Sequence, residues 1–394
     1  MNIHLIILSL FVPILAFSQT TNPLKQELRV ELEEFSENDD RMYNAGVGYT
    51  LMGRRFDDPF VNSRWGRSII EANIGMKYED WFKARLSAVQ IFTSGAVGYQ
   101  LGVTEAGATN GLFLDEASVS IMPNDWLEGS AGVLSISYNP IMSFFGGAAQ
   151  TGGMISFDHK NDNGLKLSFD VSQTIPTSIA KGNIITDEGT NPLLTLATAY
   201  IDFKNEPTGS RARASVTHFE YTDLSTATAS DSFRTGSTVA GGTNFQFVHE
   251  FRGKELALGF EQELGISHEL KLKGSIINNE RAPEELRDGE QVKLEFERKF
   301  NKWSLIPSVT RFRIEGDALP SSYSVSSYGY TNRDGYSVAM KAEVPKLNFN
   351  LFASYTNATA INKDGENLTV SQNSTYQADR EIFTLGAEVT YDIF

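Results

Sequence analysis

The sequence predicts an all-β chain closed into one antiparallel transmembrane β-barrel of about 16 strands, with roughly 18 as the alternative count. Two observations carry this expectation. Segments of about ten residues in which every second residue is apolar recur from position 43 to the end, and the connections between them alternate short and long. Side chains of a strand point alternately to opposite faces, so each segment has one apolar and one wet face. Backbone groups in lipid find no water to bond, so an apolar outer face demands a sheet closed on itself, with no unpaired edge. A soluble sandwich would instead have to hide the apolar faces of all these strands, and no domain break offers a second sheet.

The first residues read as a signal segment, 1–18. An apolar stretch runs from Ile3 to Phe17, broken by Pro13 and too short to span a bilayer, and Ala16-Phe17-Ser18 has the small-x-small form, which places cleavage between Ser18 and Gln19. The following segment, 19–42, is two-faced. Leu24, Leu28, Leu32 and Phe35 fit a helix face, whereas Leu28, Val30 and Leu32 fit a strand, so it is either a periplasmic lead-in or a small plug.

The barrel proper is expected over 43–394. Strands are predicted near 43–52, 67–78, 81–92, 112–122, 126–136, 152–159, 165–173 and 193–204, then near 211–221, 254–264, 268–279, 290–300, 303–314, 335–344, 347–356 and 380–394. In the first full hairpin Ile70, Ala72, Ile74, Met76 and Tyr78 share a face, Glu79-Asp80 turn the chain, and Phe82, Ala84, Leu86 and Ala88 share a face on the way back. The last segment does the same with Phe383, Leu385, Ala387, Val389, Tyr391 and Ile393. Thr243 to Phe251 is open between a loop strand, an extension of its neighbour and half of an additional pair. Long loops are expected near 53–66, 93–111, 137–151, 174–192, 222–242, 280–289, 315–333 and 357–379.

Composition excludes several classes. With 33 glycines, 41% apolar and 21% charged residues the chain is neither disordered nor collagen-like. There is no cysteine, so disulfides, thiolate metal sites and a cysteine nucleophile are absent. A formal charge of −15 argues against a nucleic-acid partner. The histidines after the signal segment stand singly at His159, His218, His249 and His268, with no HExxH or GxSxG, so the sequence supports no enzyme and implies no cofactor or metal.

If the apolar parity faces lipid, the other parity lines the lumen. The candidates are Glu71, Lys83, Arg85, Lys166, Asp170, Arg211, Arg213, Glu261, Lys271, Lys273 and Glu295. Neither sign dominates, which suits a wet wall of cross-strand ion pairs that discriminates little. The pairs Arg211 with Arg213 and Lys271 with Lys273 leave a basic ladder for anions such as phosphate as the competing reading.

Signal segment, alternating strands, alternating loop lengths, absence of cysteine and a terminal Phe394 together resemble the general porins of the Gram-negative outer membrane, over essentially the whole chain after the signal. The resemblance implies a water-filled channel for passive diffusion of small hydrophilic solutes and ions, located in the cell outer membrane and assembled as a homotrimer. It implies that the last strand with Phe394 is read by the barrel-assembly machinery, although here the apolar residues share the parity of Ile393 and not of Phe394. In YNPIMSFFGGAAQTGG, the step Phe144-Phe145-Gly146-Gly147 is similar to the loop that narrows the lumen in that class. Carboxylates of the loops could meet lipopolysaccharide through divalent cations. The alternatives are a substrate-selective channel, for anions or hydrophobic molecules, a barrel hydrolase, and a barrel subunit of a secretion apparatus.

Overall fold

The structure, a computed structural model, describes residues 42–57, 61–99, 111–134, 141, 150–161, 164–176, 191–240, 245–324, 326–362 and 378–392. The signal segment, the lead-in up to residue 41, the Phe144–Gly147 step and Phe394 lie outside the described residues.

The strands are β1 (Tyr43–Asp57), β2 (Val61–Tyr78), β3 (Phe82–Tyr99), β4 (Gly111–Asn124), β5 (Leu127–Leu134), β6 (Gln150–Lys160), β7 (Leu165–Ile175), β8 (Leu193–Asn205), β9 (Ser210–Thr222), β10 (Val239–Ala240), β11 (Gln246–Phe247), β12 (Phe251–Glu263), β13 (His268–Asn279), β14 (Asp288–Lys299), β15 (Ser304–Ile314), β16 (Arg333–Val344), β17 (Phe349–Ala360) and β18 (Arg380–Asp392). One helix of ten residues, α1 (Thr226–Thr235), follows β9. All but β10 and β11 form a closed antiparallel barrel of 16 strands in which each strand pairs with its neighbours in sequence, β9 pairs with β12, and β18 closes onto β1. The closing seam runs from Gly46 against Asp392 to Asp57 against Glu381 without a bulge. Closure leaves no strand with a free row of donors and acceptors, which is the condition for placing a sheet in lipid.

The alternation in the sequence becomes the inside and outside of this wall. On β18 Phe383 and Leu385 are 46% and 54% exposed, whereas Ile382 and Thr384, which alternate with them, are 3% and 2% exposed. The exterior carries large apolar side chains strand after strand, among them Leu258, Ile276, Val292, Val309, Val338 and Leu351. Such a surface is stable only against another apolar medium. At the short-turn rim it ends in exposed aromatics: Tyr78 meets Trp81 edge-on at 6.1 Å, Trp126 stacks near Phe157 at 6.3 Å, and Phe300 stacks on Trp303 at 4.2 Å. Amphipathic rings settle at the boundary between hydrocarbon and headgroups, so this belt marks one face of the bilayer.

The short turns are tight hairpins. Glu79, Gly164, Gly209, Gly265 and Asn348 take left-handed backbone there, the hand that matches the twist of the flanking strands. At Gly386 the requirement is close approach: a Cβ would run into Cζ of Phe352 and lie 2.8 Å from the carbonyl oxygen of Leu51.

The structure corrects the expected loop near 53–66. β1 and β2 continue as a paired hairpin to Asp57 and Asn62, and β3 runs on to Tyr99. Polar residues such as Arg54, Arg55 and Arg64 in these extensions break the apolar alternation beyond the lipid, which is why the sequence pattern faded there. The ambiguous stretch 243–251 contains β11, which pairs with β10 in a small sheet outside the barrel wall.

Candidate functional site in the barrel interior

The interior divides along the barrel axis into a charged half near the short turns and an apolar half near the long loops. In the charged half, register places all eleven lumen candidates on the face opposite the exposed apolar side chains. Asp202 on β8 sits across from Arg213 on β9; its carboxylate accepts Nε of Arg211 at 2.9 and 3.1 Å together with the same guanidinium's terminal nitrogen. Arg213 reaches on to Glu261 of β12 at 3.4 Å. Next along the wall, Lys271 pairs with Glu269 at 3.4 Å, Lys273 with Glu295 at 3.6 Å, and Lys293 also with Glu295. Lys166 pairs with Asp158 at 3.1 Å, Asp170 lies across from Ser156 and Thr198, and Lys83 and Arg85 lie across from Lys77 and Gly75. Glu71 accepts from Asn73 at 3.5 Å. The two basic pairs are therefore threaded through acid partners: Asp202 and Glu261 answer Arg211 and Arg213, and Glu269 and Glu295 answer Lys271 and Lys273.

The other half has two apolar patches. One joins Leu194 and Leu196 of β8, Phe219 and Tyr221 of β9, Phe251 of β12, Ile277 of β13 and Ile314 of β15 with Ala318, Leu319 and Tyr323 from the connection between β15 and β16. Ile141, from the β5–β6 connection, is buried in the same patch, and its N–H donates to the fully buried carboxylate of Glu255 at 2.9 Å. The second patch comprises Met52, Trp65, Ile69, Val89 and Ile91, with Phe352 against it. Four buried arginines stand on that side: Arg54 on β1, Arg67 on β2, Arg333 on β16 and Arg380 on β18. Arg67 lies over the Trp65 ring at 4.3 Å and its Nε donates to Thr93 at 3.0 Å; Arg380 lies over the Phe56 ring at 5.3 Å. In the strand order β9 stands half the circumference from β1, so Arg54, Arg67 and Arg380 stand across the barrel from the β8–β9 part of the larger apolar patch, whereas Arg333 pairs in register with Ile314 at its edge.

Sequence reading missed these arginines and the inward fold of 315–332. The arginines share the interior parity of β1, β2, β16 and β18, a signal present in the alternation but hidden where Trp65, Ile69 and Met52 make both faces apolar. On the outside of the long-loop rim, Lys254 pairs with Glu280 at 3.0 Å, Arg281 with Glu250 at 3.6 Å and Arg252 with Glu220 at 3.8 Å. The hydrogen bond from Lys254 and its charge hold the Glu280 carboxyl below its ordinary value. Among the described residues no group of three His, Asp or Glu side chains is placed to hold a metal ion.

This geometry has solved counterparts. Over 89% of the chain it superposes on 94% of OprB of Pseudomonas putida, determined at high pH, with a TM-score of 0.54 at 11% identity. The fold is that of the outer-membrane porins. OmpF of Salmonella typhi, in complex with daunomycin, matches over 89% of this chain and 97% of its own at a TM-score of 0.50 and 9% identity. No family model matches the sequence, and no curated protein matches it at the sequence level. At such identities the likeness concerns the porin fold, and the residues of the lumen are this chain's own.

Proposed function

We propose that the protein is an outer-membrane porin, a channel for passive diffusion of small hydrophilic solutes and ions. The observation that carries this is a closed 16-strand wall, apolar outside and lined inside by alternating ion pairs from Asp202 round to Glu295. A wall of mixed sign holds water and selects weakly. The fold likeness to OprB and OmpF supports the same reading. The short turns face the periplasm and the long loops face outward, the arrangement that export and insertion from the inside produce. On the outer rim Arg252, Lys254 and Arg281 would meet lipopolysaccharide phosphates directly, and their partners Glu220, Glu280 and Glu250 would meet them through divalent cations. Trimer formation and recognition of the last strand by the barrel-assembly machinery belong to the same proposal.

The test is conductance of the purified, refolded chain in a planar bilayer. Stepwise openings are expected; a closed barrel that never conducts refutes the pore. A second reading, a channel selective for anions, is favoured by the four interior arginines on β1, β2, β16 and β18. Reversal potentials in a salt gradient decide between them, because the mixed wall gives a value near zero and arginine control gives an anion preference.

A further inference from the structure

We infer that segment 315–332, between β15 and β16, is a fixed constriction of this channel, narrowing the lumen beside β8–β15 and selecting solutes by size. The inference deepens the porin reading and rests on it. Its first support is place. A connection expected to stand outside the barrel is turned inward: Leu319 and Tyr323 are buried against interior residues of β8, β9 and β13, and Tyr323 stacks on Tyr221 of β9 with ring centroids 5.6 Å apart and planes 8° from parallel. Tyr328 stacks on Phe312 of β15 at 4.2 Å, and its hydroxyl donates to Gln291 of β14 at 2.9 Å.

Its second support is bracing. The carboxylate of Asp317, fully buried, accepts the N–H of Thr238 at 2.8 Å and Nδ1 of His249 at 2.9 Å, while its carbonyl accepts Nδ2 of Asn279 at 2.7 Å. The N–H of Ser321 donates to Ser237 Oγ at 2.9 Å, and that of Ser322 to Ser232 Oγ at 3.2 Å. Within the segment Thr331 ties its hydroxyl to the Gly316 carbonyl at 3.0 Å and its N–H to Ser321 Oγ at 3.2 Å. Swinging this segment out of the lumen would expose the apolar patch and break donors away from buried partners in the β9–β12 connection and β13 at once. A hinged lid needs few such ties. The segment is built to stay.

Its third support is charge. Between 315 and 332 the only charged side chains are Glu315 and Asp317; Glu315 accepts the N–H of Asp288 at 3.0 Å, and Asp317 is held as described. Ser321, Ser322, Ser324, Ser327 and Tyr323 are buried, so the segment offers the partly exposed rings of Tyr328 and Tyr330 and no outstanding charge, filters by cross-section and leaves the sign of the solute to the wall.

Two variants of the full chain test this. Ile314 and Arg333 are register partners, so residues 317–330 can be replaced by a short Asn-Gly hairpin, with heat-modifiable gel mobility reporting barrel closure. Excision is expected to raise single-channel conductance roughly twofold or more, and to admit larger neutral sugars in liposome swelling. The hydroxyls of Ser232 and Ser322 lie 2.8 Å apart in a chain with no cysteine, so Ser232→Cys with Ser322→Cys can lock the segment to α1. The locked channel is expected to conduct alike when oxidised and when reduced. A closed excision variant with no gain over the parent, or a lock that silences the channel until reduced, overturns the inference. The parent's own conductance tests the pore reading separately: a silent parent that conducts after excision removes free diffusion and leaves the assignment of the segment standing.

Discussion

Replacing Asp317 by alanine removes the acceptor for two donors: the Thr238 N–H, within a buried stretch, and Nδ1 of His249, whose side chain is 19% exposed. Leaving a buried donor unsatisfied costs about 1–3 kcal/mol, and the partly exposed imidazole belongs at the lower end, so the pair sums to about 2–4 kcal/mol. Because about 1.4 kcal/mol is a factor of ten, the docked segment should loosen roughly 30- to 1,000-fold relative to the undocked state. The barrel wall is untouched, since neither donor belongs to its hydrogen-bond ladder. Amide hydrogen exchange of 315–332 in detergent-solubilised protein reads this directly, and current noise in a bilayer reads it as flicker. Asp317→Asn, which keeps one acceptor oxygen, should fall between the parent and the alanine variant. Equal exchange rates in parent and Asp317→Ala would refute the view that this carboxylate pins the segment.

Arg211→Gln together with Arg213→Gln strips the cations from Asp202 and Glu261, so the reversal potential in a salt gradient should move toward cation preference, by roughly twofold or more in permeability ratio, and the shift should shrink at high salt. Gly386→Ala drives a methyl into the Phe352 ring and the Leu51 carbonyl; a loss of about 1–3 kcal/mol should lower the urea midpoint, and adding Phe352→Ala should restore only part of it, because the carbonyl clash remains. Lys254→Met removes the hydrogen bond and charge that lower the Glu280 carboxyl, so its titration, followed by carboxyl carbon NMR, should move up toward the ordinary range. In the parent that pair is formed above the ordinary carboxylate value and is lost as pH falls through the lowered one; being exposed, it should leave overall stability unchanged.

The barrel was legible because lipid imposes one rule on every strand. Leu256, Leu258 and Phe260 alternate with Glu255, Ala257 and Gly259 on β12, and that pattern alone places the wall and its register face. The charged half of the lumen follows from the same parity, so Arg213 and Glu261 could be set on the inner face without coordinates. The apolar half could not. Where Met52, Trp65 and Ile69 turn inward, the contrast between faces disappears, and Arg54 and Arg67 lose the frame that would identify them. Segment 315–332 was illegible for another reason. Its composition of serine, tyrosine and glycine is what an exposed loop shows, and its burial depends on Ser232, Ser237, Thr238 and Asn279, far away in sequence, answering its polar groups. Local pattern carries no trace of such long-range pairing.

The bracing of this segment also bears on how the outer rim can change over generations. An ordinary surface loop drifts alone, since its polar atoms are answered by water and any replacement finds the same partner. Here Ser321 needs Ser237, Ser322 needs Ser232, and Asp317 needs Thr238, His249 and Asn279 in place. A change in one connection strands an atom in another, so the β9–β12 and β15–β16 connections and the end of β13 must drift as a single block. Tolerated substitution is thereby steered to other parts of the rim, and a graft of 315–332 into a related barrel would succeed only if its partners were carried with it.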